Sequence, residues 1–301
     1  MQVALLAGGV GGARFARGLA AAAGADNVTA IVNVGDDLEH WGLAISPDLD
    51  TVLYTLAGRI DPANGWGVAG DTLEAMSIVC ELGGERWFQL GDRDIGLHLV
   101  RSQRLRAGEP LSEIMADVAA RLGVRVRLLP ASDDAQRTRI TTPTGALEFQ
   151  QWLGGRRAAD RVESVRFAGD ARPAPGVLEA IAEADRIVLA PSNPFVSLDP
   201  ILAVEGVREA VRARRADVVA VTPLIAGKAV KGPLVAMLDS LGHEPGVLGV
   251  MRYLEPLAAT VVIDRQDGAL AASLAPLSVR LAETLMHDLV AARSLAEVAL
   301  A

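Results

Sequence analysis

The sequence contains little of what defines several large classes of protein. It has one cysteine, Cys80, among 301 residues, so an internal disulfide is excluded. Aromatic residues make up 4% of the chain and hydrophobic residues 50%, so the apolar content consists mainly of small aliphatic side chains. The four histidines lie far apart and form no H-x-x-x-H pair, so nothing indicates a zinc site. A disulfide-stabilised scaffold is therefore excluded, and a zinc centre is not expected.

Positive charge and long apolar runs are also scarce. The chain carries 29 basic and 37 acidic residues, a net charge of −8, which disfavours a general binder of nucleic acid. Arg, Asp or Gly interrupts each apolar stretch before it could cross a bilayer, and the start MQVALLAGG lacks the features of a signal peptide. We therefore expect a cytoplasmic protein with no membrane partner and no nucleic-acid partner. The high apolar content is compatible with a homodimer.

Two blocks of the chain have the pattern of alternating strands and helices. In the first, an apolar run at 3–7 stops at glycines before an Ala-rich stretch at 13–23, and a β-branched run follows at 28–34. The second block predicts further strands and helices, at 186–190, 200–214, 217–221, 261–264 and 281–300. Such α/β units bind ligands at the carboxyl ends of parallel strands.

The residues between the two blocks follow a different pattern. Their periodicity predicts three helices and a hairpin, at 72–82, 95–105, 111–122 and 139–152. Because no linker or repeat separates the parts, we expect one domain over 1–301, with an α/β fold and a doubly wound, mostly parallel, Rossmann-like sheet. Its core would comprise 1–59 and 170–301. A central α+β insertion at about 60–169 would act as a lid or substrate subdomain.

The first candidate site is the glycine-rich segment GGVGG at 8–12. Backbone N–H groups in such a segment can approach phosphate oxygens beside the positive end of a helix dipole, and Arg14 could add a cation. The G-x-G-x-x-G pattern fails at Arg14, and the P-loop pattern fails at Ala13-Arg14, so neither an NAD-binding fold nor a P-loop NTPase is supported. A tight turn whose glycines serve only packing is the alternative. The phosphate-binding candidates are Gly8, Gly9, Gly11, Gly12 and Arg14.

Aspartates follow the second predicted strand, at Asp36, Asp37, Asp48 and Asp50. Carboxylates at the same end of the sheet as the glycines suit Mg²⁺, a hard cation that prefers oxygen ligands. Adjacent side chains diverge, so we expect only one of Asp36 and Asp37 to face the site. For Asp48, capping of a helix that starts near Ser46-Pro47 is the alternative.

Three further segments carry polar groups that could bind substrate. In LGDRD at 90–94, Asp92 and Arg93 precede a helix on which His98 and Arg101 would lie near one face, beside Asp94. The loop PSNP at 191–194 offers Ser192 and Asn193 to a nucleotide or phosphate. The loop GKAVKG at 227–232 offers Lys228 and Lys231 to phosphate. The alternatives are a capped helix with surface salt bridges for the first segment and ordinary loops for the others.

Taken in order, several segments resemble the CofD/FbiA family. They are LAGGVGGA at 6–13, NVGDD at 33–37, ISPDLDT at 45–51, GDRD at 91–94 and PSNP at 191–194. The match continues through LPASD at 129–133, FQ at 149–150 and KGP at 231–233, and so covers most of the chain. Members of this family are transferases that make the first phosphodiester of the deazaflavin cofactor F420.

The resemblance implies a Mg²⁺-dependent transfer of a phospho-three-carbon-acid group. The group would pass from a guanosine diphosphate-linked donor to the ribityl hydroxyl of Fo (7,8-didemethyl-8-hydroxy-5-deazariboflavin), giving (dehydro-)F420-0 and GMP. At 8–14, where archaeal members tend to read GGTGTPK, this chain departs at Val10, Gly12, Ala13 and Arg14 and looks more like the bacterial branch. The acid stays open among phosphoenolpyruvate, 2-phospholactate and 3-phosphoglycerate.

The same resemblance implies roles for the candidate residues. Asp36 and Asp50 would hold Mg²⁺ with support from Asp48, and Asp50 could also serve as the base. The expected substrate contacts are Gly8, Gly9, Gly11, Gly12, Arg14, Asp50, Asp92, Arg93, Ser192, Asn193, Lys228 and Lys231. Two other functions stay open: a nucleotide-sugar-sensing regulator of the YvcK-like type, and a Rossmann-type oxidoreductase.

Overall fold

The computed structural model describes all 301 residues of the chain. Its strands are β1 Val3–Ala7, β2 Val28–Val32, β3 Leu38–His40, β4 Leu43–Ile45, β5 Arg127–Pro130, β6 Arg137–Thr142, β7 Gly145–Glu148, β8 Ser164–Ala168, β9 Arg186–Leu189, β10 Val218–Val221, β11 Leu224–Ile225, β12 Lys228–Ala229, β13 Thr260–Asp264 and β14 Ser278–Ala282. Its helices are α1 Gly9–Ala23, α2 Pro47–Leu56, α3 Glu74–Glu81, α4 Asp92–Arg106, α5 Leu111–Arg121, α6 Val177–Glu183, α7 Asp199–Leu202, α8 Val207–Ala213, α9 Leu234–Ser240, α10 Gly246–Leu254 and α11 Leu289–Leu300.

The main sheet has seven parallel strands in the order β14-β13-β10-β9-β1-β2-β5. The chain runs outward from β1 through β2 to β5, then returns to β9 and runs outward on the other side. The strand order therefore reverses between β1 and β9, the place where doubly wound sheets bind ligands. This topology confirms the expected α/β fold with a doubly wound sheet.

Burial explains why the central strands are continuous apolar runs. Every residue of β1 and of β10 is buried, as expected for parallel strands that are covered on both faces. Helix α1 packs against α11 so closely that a Cβ on Gly18 would overlap the carbonyl of Ala292. A glycine is therefore required at this crossing. No helix of the chain has both the length and the apolar character needed to span a membrane.

The central residues are not one uninterrupted insertion at about 60–169, as the sequence suggested. Strand β5 lies within that range, yet it pairs in parallel with β2 and forms an edge of the main sheet. The remaining central residues form α3, α4, α5 and a separate antiparallel sheet in the order β7-β6-β8. Its β6–β7 hairpin turns between Thr142 and Gly145, which confirms the predicted hairpin and its turn. The second strand ends at Glu148, however, and a helical turn at Gln151–Gly155 replaces the end of the predicted range.

Two of the predicted helices need correction. The helix expected at 200–214 is broken into α7 and α8 by Gly206, whose φ of 76° is incompatible with a continuous right-handed helix. The closing helix expected at 281–300 begins only at Leu289, where Asp288 accepts a hydrogen bond from the backbone of Ala291. The first two residues of that prediction end the edge strand β14 instead.

Candidate active site

A cavity of about 850 Å³ opens at the carboxyl ends of the central strands. Its wall includes residues that directly follow β1, β9 and β10, together with side chains from α2, α4 and the loop after β7. It therefore lies where the strand order reverses. Its volume falls within the range of ligand-binding clefts.

Most of the residues proposed from sequence line this cavity. They are Gly8, Gly9, Gly11, Arg14, Asp36, Asp48, Asp50, Ser192, Asn193 and Lys231. Four others do not line it: Gly12, Asp92, Arg93 and Lys228. The topology thus brings together segments that are more than 200 residues apart in the chain.

The glycine-rich segment is the first turn of a helix rather than a separate loop, because α1 begins at Gly9. A Cβ on Gly11 would overlap the carbonyl oxygen of Pro191, and one on Gly12 would lie 2.7 Å from Ser192 Oγ. Ser192 Oγ also donates to the carbonyl of Gly8 at 2.7 Å. These glycines therefore allow the helix start and the 191–193 loop to pack closely.

Gly9 differs from the other glycines of this turn because it faces open space. The nearest atom to a Cβ placed on it would be Ser197 Oγ, 3.9 Å away, and its φ is 67°. The N–H of Gly9 itself donates to Asp48 Oδ1 at 2.7 Å. The N–H groups that follow it in the first turn have no partner within the helix, and the dipole favours an anion there. The start of α1 can thus serve phosphate binding at the cavity while Gly11 and Gly12 serve packing.

Asp36 and Asp48 form a buried acidic pair on the cavity wall, 4% and 8% exposed. The amide of Asn33 joins them, with Nδ2 donating to Asp48 Oδ2 at 3.0 Å and to Asp36 Oδ1 at 3.4 Å. Gln150 Nε2 donates to Asp36 Oδ2 at 3.0 Å. Neither carboxylate has a salt bridge, so two adjacent acids lack a basic partner.

The electrostatics of this pair suit a bound cation. Burial and the charges of Asp48 and Asp37 raise the pKa of Asp36 well above its usual value. Burial also raises the pKa of Asp48 to about 6, against opposing hydrogen bonds from Asn33 and Gly9. A divalent cation would compensate both charges, and carboxylate oxygens are ligands that Mg²⁺ accepts. Asp36 and Asp48 therefore fit the expected metal.

Asp50 has a different environment from the acidic pair. Both of its oxygens accept hydrogen bonds from the guanidinium of Arg101, one of them at 3.0 Å, and Arg101 is fully buried. Its charge is therefore already compensated within the protein. Asp50 is therefore not part of the acidic pair of Asp36 and Asp48, which has no salt bridge, although all three residues line the cavity.

Asp37 points away from the cavity, as expected for the neighbour of Asp36. Its Oδ2 accepts a hydrogen bond from Ser46 Oγ at 3.0 Å, and its Oδ1 is buried without a partner. Burial raises the pKa of Asp37 to about 7, although the charges of Arg137 and Arg101 oppose the shift. It therefore adds negative charge behind the acidic pair without lining the site.

Asp92 and Arg93 hold the backbone before and at the start of α3. The carboxylate of Asp92 accepts hydrogen bonds from the backbone of Glu74 and Ala75, at 3.1 and 2.9 Å. Arg93 Nη1 donates to the carbonyl of Ala69 at 2.7 Å. Both side chains thus make structural contacts outside the cavity wall. The arrangement also differs from the alternative considered for this segment, because Asp92 bonds the first turn of α3 rather than that of its own helix α4, and neither residue forms a salt bridge. Lys228 is exposed on β12, outside the cavity wall.

Two cations lie at the cavity, on Arg14 and Lys231. Partial burial and the charge of Arg14 lower the pKa of Lys231. Lys231 Nζ donates to the carbonyl of Asn64 at 2.6 Å, and Arg14 Nη1 donates to that of Met286 at 3.4 Å. An anionic group between two neighbouring cations would relieve their repulsion.

Sequence reasoning missed the aromatic part of the cavity wall. Trp66, Trp87, Phe88 and Phe149 all line the cavity, in a chain with few aromatic residues. The rings of Trp87 and Phe88 meet edge to face with centroids 5.5 Å apart. The only local sign of this surface in the sequence was the pair of adjacent aromatic residues at 87–88. These rings can hold a flat ring system by stacking.

Asp94 and His98 are brought together as the helical spacing predicted. His98 Nε2 lies 3.4 Å from Asp94 Oδ1, and His98 Nδ1 lies 3.7 Å from Asp50 Oδ2. Tyr54, on α2, donates its hydroxyl to Asp94 Oδ1 at 2.7 Å. Sequence reasoning found the face of α4 but not the contribution of Tyr54, since nothing local links the two helices.

Comparison with known proteins gives matches over nearly the whole chain. A family model described as 2-phospho-L-lactate transferase CofD matches residues 3–297. A phosphoenolpyruvate transferase of Kitasatospora aureofaciens is 45% identical, over 100% of this chain and 97% of that protein. One from Mycolicibacterium smegmatis is 43% identical, over 88% and 86%. A UPF0052 family protein from Bacillus halodurans has a TM-score of 0.63 at 20% identity, covering 100% of this chain and 98% of that chain, which bears on the fold alone.

Proposed function

This chain belongs to the CofD family and is a transferase of coenzyme F420 biosynthesis, and from that premise we propose its reaction. It transfers a phospho-three-carbon-acid group from a guanosine diphosphate-linked donor to the ribityl hydroxyl of Fo. The products are (dehydro-)F420-0 and GMP. Relatives named phosphoenolpyruvate transferase, at 42–45% identity, favour phosphoenolpyruvate as the acid.

The observation that carries this proposal is the position of the buried pair Asp36 and Asp48 beside the start of α1. An unpaired acidic pair alone would repel a diphosphate, whereas the helix start and the cations of Arg14 and Lys231 would attract it. A metal-bound diphosphate satisfies both sets of groups. The same cavity holds the aromatic side chains that a deazaflavin ring would stack against.

Asp36 and Asp48 would hold the Mg²⁺ ion in this proposal. When bound, the ion supplies compensation for the negative charge of the diphosphate and of the departing GMP. Asp50, which we first expected as a ligand, is left out because Arg101 occupies both of its oxygens. Asn33 and Gln150 position the two ligand carboxylates through their amide groups.

The protein's main task in this reaction is to position two substrates. The N-terminal turn of α1, Arg14 and Lys231 bind the phosphates, and Ser192 and Asn193 bind the nucleotide side of the donor. The aromatic residues hold Fo with its ribityl hydroxyl in line with the phosphorus–oxygen bond to GMP. Holding the hydroxyl in that geometry converts a reaction between two molecules into one within a complex.

The direct test is incubation of the purified chain with Fo, Mg²⁺ and, in separate reactions, the guanosine diphosphate-linked form of each acid. Mass analysis should find the (dehydro-)F420-0 product together with GMP, with phosphoenolpyruvate as the preferred acid. Absence of product from all three donors would contradict the proposal. Binding of a nucleotide sugar without any transfer would instead support a regulator.

A further inference from the structure

The two oxygens of Asp94 have different surroundings. Oδ1 accepts the Tyr54 hydroxyl at 2.7 Å and faces His98 Nε2 at 3.4 Å. Oδ2 has no hydrogen-bond partner in the protein, and the side chain is 14% exposed on the cavity wall. One oxygen is therefore fixed in place while the other stays available to a ligand.

Behind Asp94, a row of charged groups leads into the protein interior. His98, 1% exposed, lies between Asp94 and Asp50, and Arg101 pairs with Asp50 on the inner side. Asp94, His98 and Arg101 all lie on α4, whereas Asp50 and Tyr54 lie on the facing helix α2. The row thus joins two helices by side chains at spacings of three and four residues, which place them on one face.

The proposed transfer releases one proton, which needs an acceptor. The ribityl oxygen forms a bond to phosphorus, the phosphorus–oxygen bond to GMP breaks, and the electron pair leaves with GMP. The hydroxyl proton must leave the ribityl oxygen. Asp50 cannot readily accept it, because both of its oxygens are bonded to Arg101.

Resting on the proposed function, we infer that Asp94 accepts this proton through its free Oδ2. His98 and Tyr54 act as positioning residues, since they fix Oδ1 and so orient the carboxylate toward the cavity. This assigns a role in the reaction to the helix face of α4.

The charges around Asp94 keep it ionised and ready to accept. Burial opposes ionisation, but the adjacent His98, Tyr54 and Arg101 together hold the pKa of Asp94 below its usual value. The other titratable groups nearby are Asp50, beyond His98, and Asp71, whose Oδ2 accepts the backbone N–H of Asp94 at 3.2 Å. An aspartate is a suitable acceptor for a hydroxyl attacking phosphorus, as in the catalytic loop of protein kinases.

The variant Asp94→Asn tests the inference because it keeps an Oδ1 acceptor for Tyr54 but removes the proton acceptor. We expect kcat to fall by about 10²- to 10⁴-fold. The KM values for Fo and for the donor should stay within about threefold, since the acceptor acts in the transition state. The matched control is Asp170→Asn, at an exposed aspartate without polar contacts, which should keep the wild-type kcat.

Tyr54→Phe and His98→Gln test the positioning roles. Each removes a group that favours ionised Asp94, so the acidic limb of the kcat–pH profile should move to higher pH. A merely structural role would lower the melting temperature and leave that limb in place.

Each outcome decides the inference. If the wild-type chain is active and Asp94→Asn keeps a kcat within about threefold of it, the inference is overturned while the proposed function stays intact. A loss of activity confined to KM also overturns it. A wild-type chain that gives no product overturns the proposed function, and the inference with it.

Discussion

The backbone N–H of Gly9 donates to Asp48 Oδ1 at 2.7 Å. Asp48 therefore caps a helix, but the helix is α1, which begins 39 residues earlier, and not its own helix α2. One carboxylate oxygen serves this cap, while the other meets the amide of Asn33. The hydrogen bond couples the proposed phosphate-binding end of α1 to the candidate metal ligands, so a change at either should affect the other.

We predict that Asp48→Asn and Asp36→Asn each weaken Mg²⁺ activation. The Mg²⁺ concentration for half-maximal rate should rise by about 10- to 100-fold or more, because each variant removes one charged ligand. Initial rates measured across a Mg²⁺ titration check this. The control is Asp170→Asn, which changes an exposed aspartate outside the cavity wall and should leave the Mg²⁺ requirement unchanged. An unaltered requirement in Asp48→Asn would contradict the assignment.

The raised pKa values predict how stability depends on pH without metal. Because the pKa of Asp37 is about 7 and that of Asp48 about 6, against an ordinary 3.8, the folded state binds more protons than the unfolded state within this window. The contribution of these two aspartates to the free energy of unfolding is fully present below about pH 4 and is lost as the pH rises towards 7.

Urea unfolding in EDTA at a series of pH values can measure this effect. Relative to wild type, Asp37→Asn should be more stabilising at pH 8 than at pH 4, because the asparagine has no charge to bury. A difference in the free energy of unfolding that is independent of pH would contradict the prediction. Added Mg²⁺ should reduce the pH dependence contributed by Asp48.

Gly11 and Gly96 should respond oppositely to alanine. Gly11→Ala should destabilise the fold by about 1–3 kcal/mol, because the new Cβ meets the carbonyl of Pro191 in a close contact that cannot relax freely. Gly96→Ala, at an open position on α4, should stabilise by about 0.5–1 kcal/mol. Denaturant unfolding of the two variants gives the comparison, and equal effects would show that the Gly11 contact is absent.

Substitutions at the cavity should separate the two substrates. Trp87→Ala should weaken Fo binding by about 1–3 kcal/mol through lost stacking, and Lys231→Ala should weaken binding of guanosine nucleotide instead. Arg93→Ala is the control, since its guanidinium bonds to a backbone carbonyl outside the cavity. Fluorescence titration with Fo and calorimetry with the nucleotide measure both affinities. A large loss of Fo affinity in Arg93→Ala would restore the role first expected for it.

The features that could be predicted from the sequence are those that a local sequence pattern determines. Apolar runs ending in glycine or aspartate identified β1 and β2, and their parallel arrangement placed the acids and the glycines at one end of a sheet. Helical spacing identified Asp94 and His98 as neighbours. These features depend on residues close in sequence, or on the one geometric rule that parallel strands share their carboxyl ends.

Features that depend on contacts between residues far apart in the sequence could not be predicted. The Asp50–Arg101 pair joins residues 51 apart, so neither its existence nor its effect on the role of Asp50 had a local signal. Strands β5 and β14 are short edge strands whose register is set by a neighbouring strand rather than by their own pattern. A homodimer stays a prediction, since one chain carries no evidence of a partner.

The position of β5 has a consequence for how the cavity can open. Because this strand belongs to the main sheet, the covering residues form two separate excursions, before and after 127–130, and each is anchored to the sheet at both ends. Neither segment has a free end, so neither can move as a body attached to the sheet at one point. The cavity is instead covered by two segments that are tethered to the sheet separately, so a movement of one does not require a movement of the other.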